Sequence, residues 1–201
     1  MCRIRPRNLL ITGPSGVGKS TLLRDLAVRM RDTPVRGIVS EEIVVDGRRV
    51  GWRLDGLNGS GHGGVFLHRD LESPHRFREC GVDLSLLERL VGLELCMHNG
   101  TGLYLIDEIG KVCSMSPCFV SAVTLLLDSG HDTVSAVHAN APGFPEQVRS
   151  RRDVTLLQVT VENRSALVDE ILAWGGWGCA AGPLSHTPAG RGPDRLTQRV
   201  G

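Results

Sequence analysis

Asn8-Leu9-Leu10-Ile11-Thr12-Gly13-Pro14-Ser15-Gly16-Val17-Gly18-Lys19-Ser20 starts as an apolar run, breaks at Gly-Pro and leads into Lys19 to Met30, where Leu22, Leu26 and Met30 recur four apart on one helical face. The octet from Gly13 to Ser20 fits G-x-x-x-x-G-K-[ST], and a strand before it with a helix after it is the setting of a phosphate-binding loop. Glycines let successive backbone N–H groups turn inward on phosphate oxygens, and the helix adds its positive N-terminal end. Lys19 is long enough to carry a point charge to the β- and γ-phosphates, and the Ser20 hydroxyl suits Mg²⁺. Gly13, Pro14, Ser15, Gly16, Val17, Gly18, Lys19, Ser20 and Thr21 are therefore the expected phosphate-contacting residues.

Leu103-Tyr104-Leu105-Ile106 reads as a buried strand that delivers Asp107 and Glu108 at its C-terminal end, where open α/β sheets place their ligands. With Ile109 and Gly110 it forms the second expected nucleotide-contacting element. Asp107 is the candidate metal acid beside Ser20, and Glu108 is the candidate base for an attacking water. Lys111 follows three residues later and reads as a second cation that neutralises phosphate charge or positions Glu108. His138 and Asn140 end the next strand and become sensors of the γ-phosphate if that strand lies between the loop strand and the acidic strand. Arg149, Arg151 and Arg152 form a basic cluster, from which Arg151 is read as an arginine finger supplied in cis.

Elsewhere, Gly37 to Val45 and Arg48 to Leu54 read as strands joined by an Asp46-Gly47 hairpin turn, and Gly64 to His68 as an extension of the same sheet. Asp83 to Met97 reads as a helix capped by Asp83, with Leu86, Leu87, Leu90, Leu93 and Met97 facing the core. Pro117 to Leu127, Phe144 to Ser150 and Arg164 to Trp174 are further helices, alternating with strands over Thr133 to Val137 and Val154 to Val161. This alternation predicts a mostly parallel sheet covered on both faces. From Gly175 onward, Gly and Pro make up 10 of 27 residues and no apolar period survives, which predicts a disordered tail after a single domain ending at Trp174.

Composition bounds the function classes. The 201 residues are 41% hydrophobic and 22% charged, a globular balance. The apolar runs fall far below the roughly 20 residues of a membrane span. No secretory h-region is visible near Met1, so a cytoplasmic, monomeric protein without membrane association is expected. A net charge of +1 does not indicate a broad nucleic-acid footprint, although a local basic patch leaves one possible. Six cysteines without metal or disulfide spacing read as incidental thiols. Of the 23 basic residues only Lys19 and Lys111 are lysines, so both stand out against an arginine background.

Gly13 to Ser20, Arg36-Gly37 with Ser40-Glu41-Glu42-Ile43, Arg49-Val50-Gly51-Trp52, Asp107-Glu108-Ile109-Gly110-Lys111 and Val159-Thr160-Val161-Glu162-Asn163-Arg164 together resemble the nucleoside-triphosphatase family of thermophiles. The resemblance covers nearly all of residues 8 to 174. It implies a three-layer P-loop domain of the RecA- or AAA-like type with an additional strand, a catalytic glutamate and a β-hairpin extension. It also implies hydrolysis of ATP, GTP and other nucleoside triphosphates with Mg²⁺, and it sets Arg164 near the nucleotide or as a buttress of the site. After Lys111 the family tends to continue Met-Glu-Leu where this chain has Val112-Cys113-Ser114, so a thiol replaces an acid at position 113.

Three functions fit these residues. A Mg²⁺-dependent triphosphate phosphohydrolase uses every motif. A P-loop kinase shares the glycine loop, but no Arg-rich lid is recognisable and Glu108 stands in the water-activating place. A nucleotide-regulated nucleic-acid binder would use the Arg149 to Arg152 cluster and the tail.

Overall fold

The computed structural model describes residues 6–30, 33–57, 59 and 61–177. Strand β1 (Asn8–Thr12) leads through the glycine loop into helix α1 (Lys19–Arg29), as the opening stretch predicts. β2 (Val35–Val45) and β3 (Arg48–Gly56) form the hairpin, with positive φ at both Asp46 and Gly47 as its two-residue turn demands. β4 (Gly63–His68) pairs with β3, and two short strands not foreseen, β5 (Arg76–Phe77) and β6 (Cys80–Val82), close that end. Helix α2 (Leu84–Leu90), β7 (Leu103–Ile109), α3 (Pro117–Asp128), β8 (Thr133–Val137), α4 (Phe144–Arg149), β9 (Val154–Gln158) and α5 (Arg164–Gly175) complete the order.

The strands form one sheet in the order β5-β6-β4-β3-β2-β7-β8-β1-β9. β2, β7, β8, β1 and β9 run parallel, while β3 to β6 extend the sheet antiparallel from the far edge of β2. β2 thus serves both halves: Val35 to Ile38 pair with β7, and Ile38 to Val45 pair with β3. β8 is the added strand between the loop strand β1 and the acidic strand β7.

Alternate residues of the central strands feed two cores. Leu9, Ile11, Leu103 and Leu105 pack with Leu23 and Leu26 of α1 and Ile171 of α5; Leu10, Tyr104 and Ile106 pack on the other face with Leu87 and Leu90 of α2 and Phe119 of α3. Each of these leucines stabilises the sheet by roughly 2 kcal/mol relative to exposure. The result is a helix-sheet-helix arrangement in three layers.

The helix from Asp83 departs from its expected period. Asp83 caps it as expected, accepting the Leu86 N–H at 2.9 Å, but a π-turn spans Val91–Leu95. An i→i+5 turn inserts one residue, so the buried face moves to Val91, Glu94 and Leu95; Leu93 is half-buried and Met97 is 53% exposed, against the expectation for both. The strand expected to run to Val161 ends at Gln158. The expected tail lies, from residue 178 on, outside the described residues.

Candidate active site

The C-terminal ends of β1, β7 and β8 converge, and the residues read from the sequence as phosphate- and metal-contacting lie there. In the loop, Val17 is 7% exposed and packs into the α1–α5 core, which anchors an otherwise polar turn. Lys19 is 8% exposed, and its Nζ donates to the Gly13 carbonyl at 3.0 Å and the Pro14 carbonyl at 3.2 Å. The same ammonium lies 3.5 Å from Glu108 Oε2. A cation folded back over its own loop, with its charge only partly answered, is poised for an anion held by that loop.

Asp107 is 3% exposed at the end of β7. Its Oδ2 accepts from the Ser40 hydroxyl at 2.9 Å and the Ser40 N–H at 3.1 Å. Arg24 of α1 donates to the Ser40 carbonyl, so the helix that follows the glycine loop is tied through β2 to the acid on β7. Neutral donors satisfy one carboxylate oxygen and leave the charge in place.

Glu108 is more open, with 31% of its side chain exposed, and the peptide joining it to Asp107 is cis. A Cβ on Gly110 would stand 3.1 Å from Glu108 Oε1, so the glycine leaves the carboxylate its room. Ser114 donates its N–H at 3.1 Å and its hydroxyl at 2.7 Å to the Gly110 carbonyl, closing the turn that exposes Lys111. Cys113, where the resemblance leads one to look for an acid, is buried beneath that turn. Burial, reinforced by Glu108 and Asp107, pushes its thiol up to about 12, so it adds no charge to the site.

His138 follows β8, between β1 and β7, which meets the condition for the sensor reading. Its N–H donates to the Ile109 carbonyl at 3.2 Å, and its Nδ1 accepts the Asn140 N–H at 3.2 Å. Arg149 donates to the His138 and Ala141 carbonyls, holding this loop.

Arg151, expected from the sequence as a finger in cis, stands elsewhere. Its guanidinium bonds Asp153 at 2.9 and 2.6 Å and Asp128 at 2.6 Å, just before β9 begins and therefore at the opposite end of the sheet from the glycine loop. Two carboxylates hold it there, so it cannot act as a finger in cis. Proximity in sequence to Arg149 concealed the reversal, because α4 carries the chain from one end of the sheet to the other.

Two features lay beyond the sequence reading of the site, the Ser40 donors and the Arg24 anchor, while Arg164, set near the nucleotide or as a buttress by the resemblance, lies against Gly18 where α1 begins. Ser40 and Arg164 stand in the motif stretches, but their placement depends on pairings between distant parts of the chain.

Hard oxygen donors from Ser20 and Asp107 fit Mg²⁺, which takes few protein ligands and relies on phosphate and water oxygens for the rest. No group of three or more His, Cys, Asp or Glu side chains among the described residues could hold a metal ion. No helix among the described residues is long and apolar enough to cross a membrane.

A family model described as NTPase matches residues 8–172. The nucleoside-triphosphatase THEP1 of Thermotoga sp. (strain RQ2) is 34% identical over 167 residues, spanning 82% of this chain and 93% of that protein. The cancer-related nucleoside-triphosphatase of Homo sapiens is 33% identical over 182 residues, spanning 83% and 95%. Among solved structures, THEP1 from the hyperthermophile Aquifex aeolicus superposes with a TM-score of 0.73 at 25% identity, over 83% of this chain and 97% of that one. The solution structure of a human cancer-related nucleoside triphosphatase does so with a TM-score of 0.67 at 32% identity, over 83% and 96%.

Proposed function

The chain belongs to the NTPase family, and on that premise we propose that it hydrolyses ATP, GTP and other nucleoside triphosphates to the diphosphate and phosphate with Mg²⁺. The observation that carries this reading is the 3.5 Å approach of Lys19 to Glu108, which brings the phosphate-binding cation and the water-activating carboxylate to one point.

In this reading the loop amides and Lys19 hold the β- and γ-phosphates. Glu108, open to solvent on one side, accepts a proton as water oxygen bonds to the γ-phosphorus; the bond from that phosphorus to the bridging oxygen breaks, and its electron pair leaves with the diphosphate. Ser20 and Asp107 would hold Mg²⁺, with Asp107 fixed by Ser40. The ion, when bound, neutralises charge on the β- and γ-phosphate oxygens. Lys111 supplies a further positive charge from the turn after β7, and His138 with Asn140 contacts the γ-phosphate or the water. Contacts mostly to phosphate make the site tolerant of the base.

Phosphate release from a panel of ribonucleoside triphosphates, with and without Mg²⁺ and with products identified, tests the proposal. Release from several bases that requires the metal is the expected outcome. Transfer to an added hydroxyl acceptor, with little release to water, would replace it with the kinase reading.

A further inference from the structure

We propose that Arg164 is the contact for the nucleoside end of the substrate and that its flat guanidinium, stacking on any base, gives the site base-tolerant affinity. The inference rests on the assignment of Glu108 to the γ-phosphate end.

The sheet order sets the direction. Glu108 and His138 rise from β7 and β8 on one side of the loop, whereas Arg164 opens α5 after β9, on the other side of β1. A triphosphate whose γ end faces Glu108 must therefore extend its nucleoside toward the β9–α5 side.

Arg164 is placed to meet it. A Cβ on Gly18 would lie 3.1 Å from Arg164 Nη1 and 3.2 Å from its Cδ, so the side chain lies across the end of the glycine loop where α1 begins. Gly18 also has a φ of 103°, which an L side chain rarely adopts. The Arg164 guanidinium has no hydrogen bond or ion pair to a described residue and is exposed, a state it shares with Arg48, Arg89 and Arg152; its distinction is its place across the end of the glycine loop.

Its position is also locally unfavourable. A cation in the first turn of a helix opposes the positive end of the backbone dipole, and α5 has no acid in that turn to offset it. Glu162, just before the helix, has its carboxyl held below the ordinary carboxylate range by Thr160 and its own backbone, so it stays ionised and offsets part of that cost. An exposed guanidinium set across the end of the glycine loop without a partner among the described residues points to a ligand, and stacking of arginine on a base suits a site that takes several bases.

Titration calorimetry with ADP, CDP and inorganic pyrophosphate separates nucleoside from phosphate recognition. Arg164→Ala should weaken both nucleotides by about tenfold, the scale of one stacking contact, and leave pyrophosphate unchanged. Arg164→Lys, which keeps the charge but loses the plane, should behave as alanine does. With ATP as substrate, KM should rise in step while kcat stays within about twofold. Equal weakening of pyrophosphate, recovery with lysine, or a fall in kcat at unchanged KM would each overturn the assignment. If the wild-type protein releases no phosphate from any triphosphate, the hydrolytic reading fails, while the comparison of diphosphates with pyrophosphate still decides the role of Arg164.

Discussion

The two ends of β1 carry similar residue types in opposite electrostatic states. At the N-terminal end Arg151 faces Asp128 and Asp153, and Arg7 faces Asp132. Asn8 joins that end together by donating to the Leu127 carbonyl and Asp153 and accepting from Thr133. At the C-terminal end Lys19 is held mainly by two carbonyls, Asp107 by a hydroxyl and an amide, and Arg164 by no acid. Charge answered by charge serves stability; charge positioned by neutral groups stays available to a substrate. A depression of about 450 Å³ lined by Arg7, Asn8, Asp128 and Asp153 opens at the N-terminal end, among groups already paired, and has no connection with the chemistry.

Removing a member of each end should make the contrast measurable. Lys19→Ala should lower phosphate release by at least about 100-fold. Lys19→Arg should not restore it, because a wide planar head does not fit a point-charge position in the loop. Ser40→Ala removes one of two donors to Asp107 and should lower kcat by about tenfold, the worth of one hydrogen bond to a charged group, and raise the Mg²⁺ concentration needed. Ser40→Thr should recover both; if the alanine variant matches wild type, the link from α1 through β2 to Asp107 has no bearing on turnover.

Arg151→Ala should do the reverse, leaving phosphate release unchanged while Tm falls by about 2–4 °C for a loss near 1 kcal/mol. The pairing with Arg151 holds the Asp153 carboxyl below its ordinary 3.8. Its stabilisation is therefore present above that value and fades as pH falls further, so the Tm gap between variant and wild type should close in acid. A large loss of activity in this variant would return Arg151 to the site.

The smallest effect concerns Cys113. Its thiol stays protonated in the folded protein up to about 12, whereas the unfolded chain releases the proton above about 9.0. The folded state then binds more protons across that interval, so stability contributed there is lost as pH rises from 9 toward 12, and Cys113→Ala should flatten the decline. At pH 8 a thiol reagent should label the exposed Cys96 and Cys118 and spare Cys113. Labelling of all three at equal rates in folded protein would contradict its burial.

What the sequence made legible was local. The glycine loop, the apolar strand ending in Asp107-Glu108 and the hairpin turn at Asp46-Gly47 each announce themselves within about a dozen residues, because turn chemistry and side-chain period act at that range. The alternation of strands and helices also implied the layered sheet. What it did not reveal depends on contacts across long separations. Ser40 meets Asp107 only because β2 pairs with β7, and Arg164 meets Gly18 only because β9 lies beside β1. Arg151 was misread for the same reason: its neighbours in sequence lie near His138, but its partners in space lie at the other end of the sheet. The π-turn after Leu90 escaped because its apolar residues also fit a regular helix over most of its length.

If the C-terminal end of the sheet carries hydrolysis through Glu108, the decisive quantity is phosphate release by Glu108→Gln at saturating triphosphate. The carboxamide keeps the size of the side chain and removes its capacity to accept a proton. Release should fall by at least about 100-fold while ADP binding stays close to wild type. Turnover at the wild-type rate would remove Glu108 from that role and require another residue to activate the water.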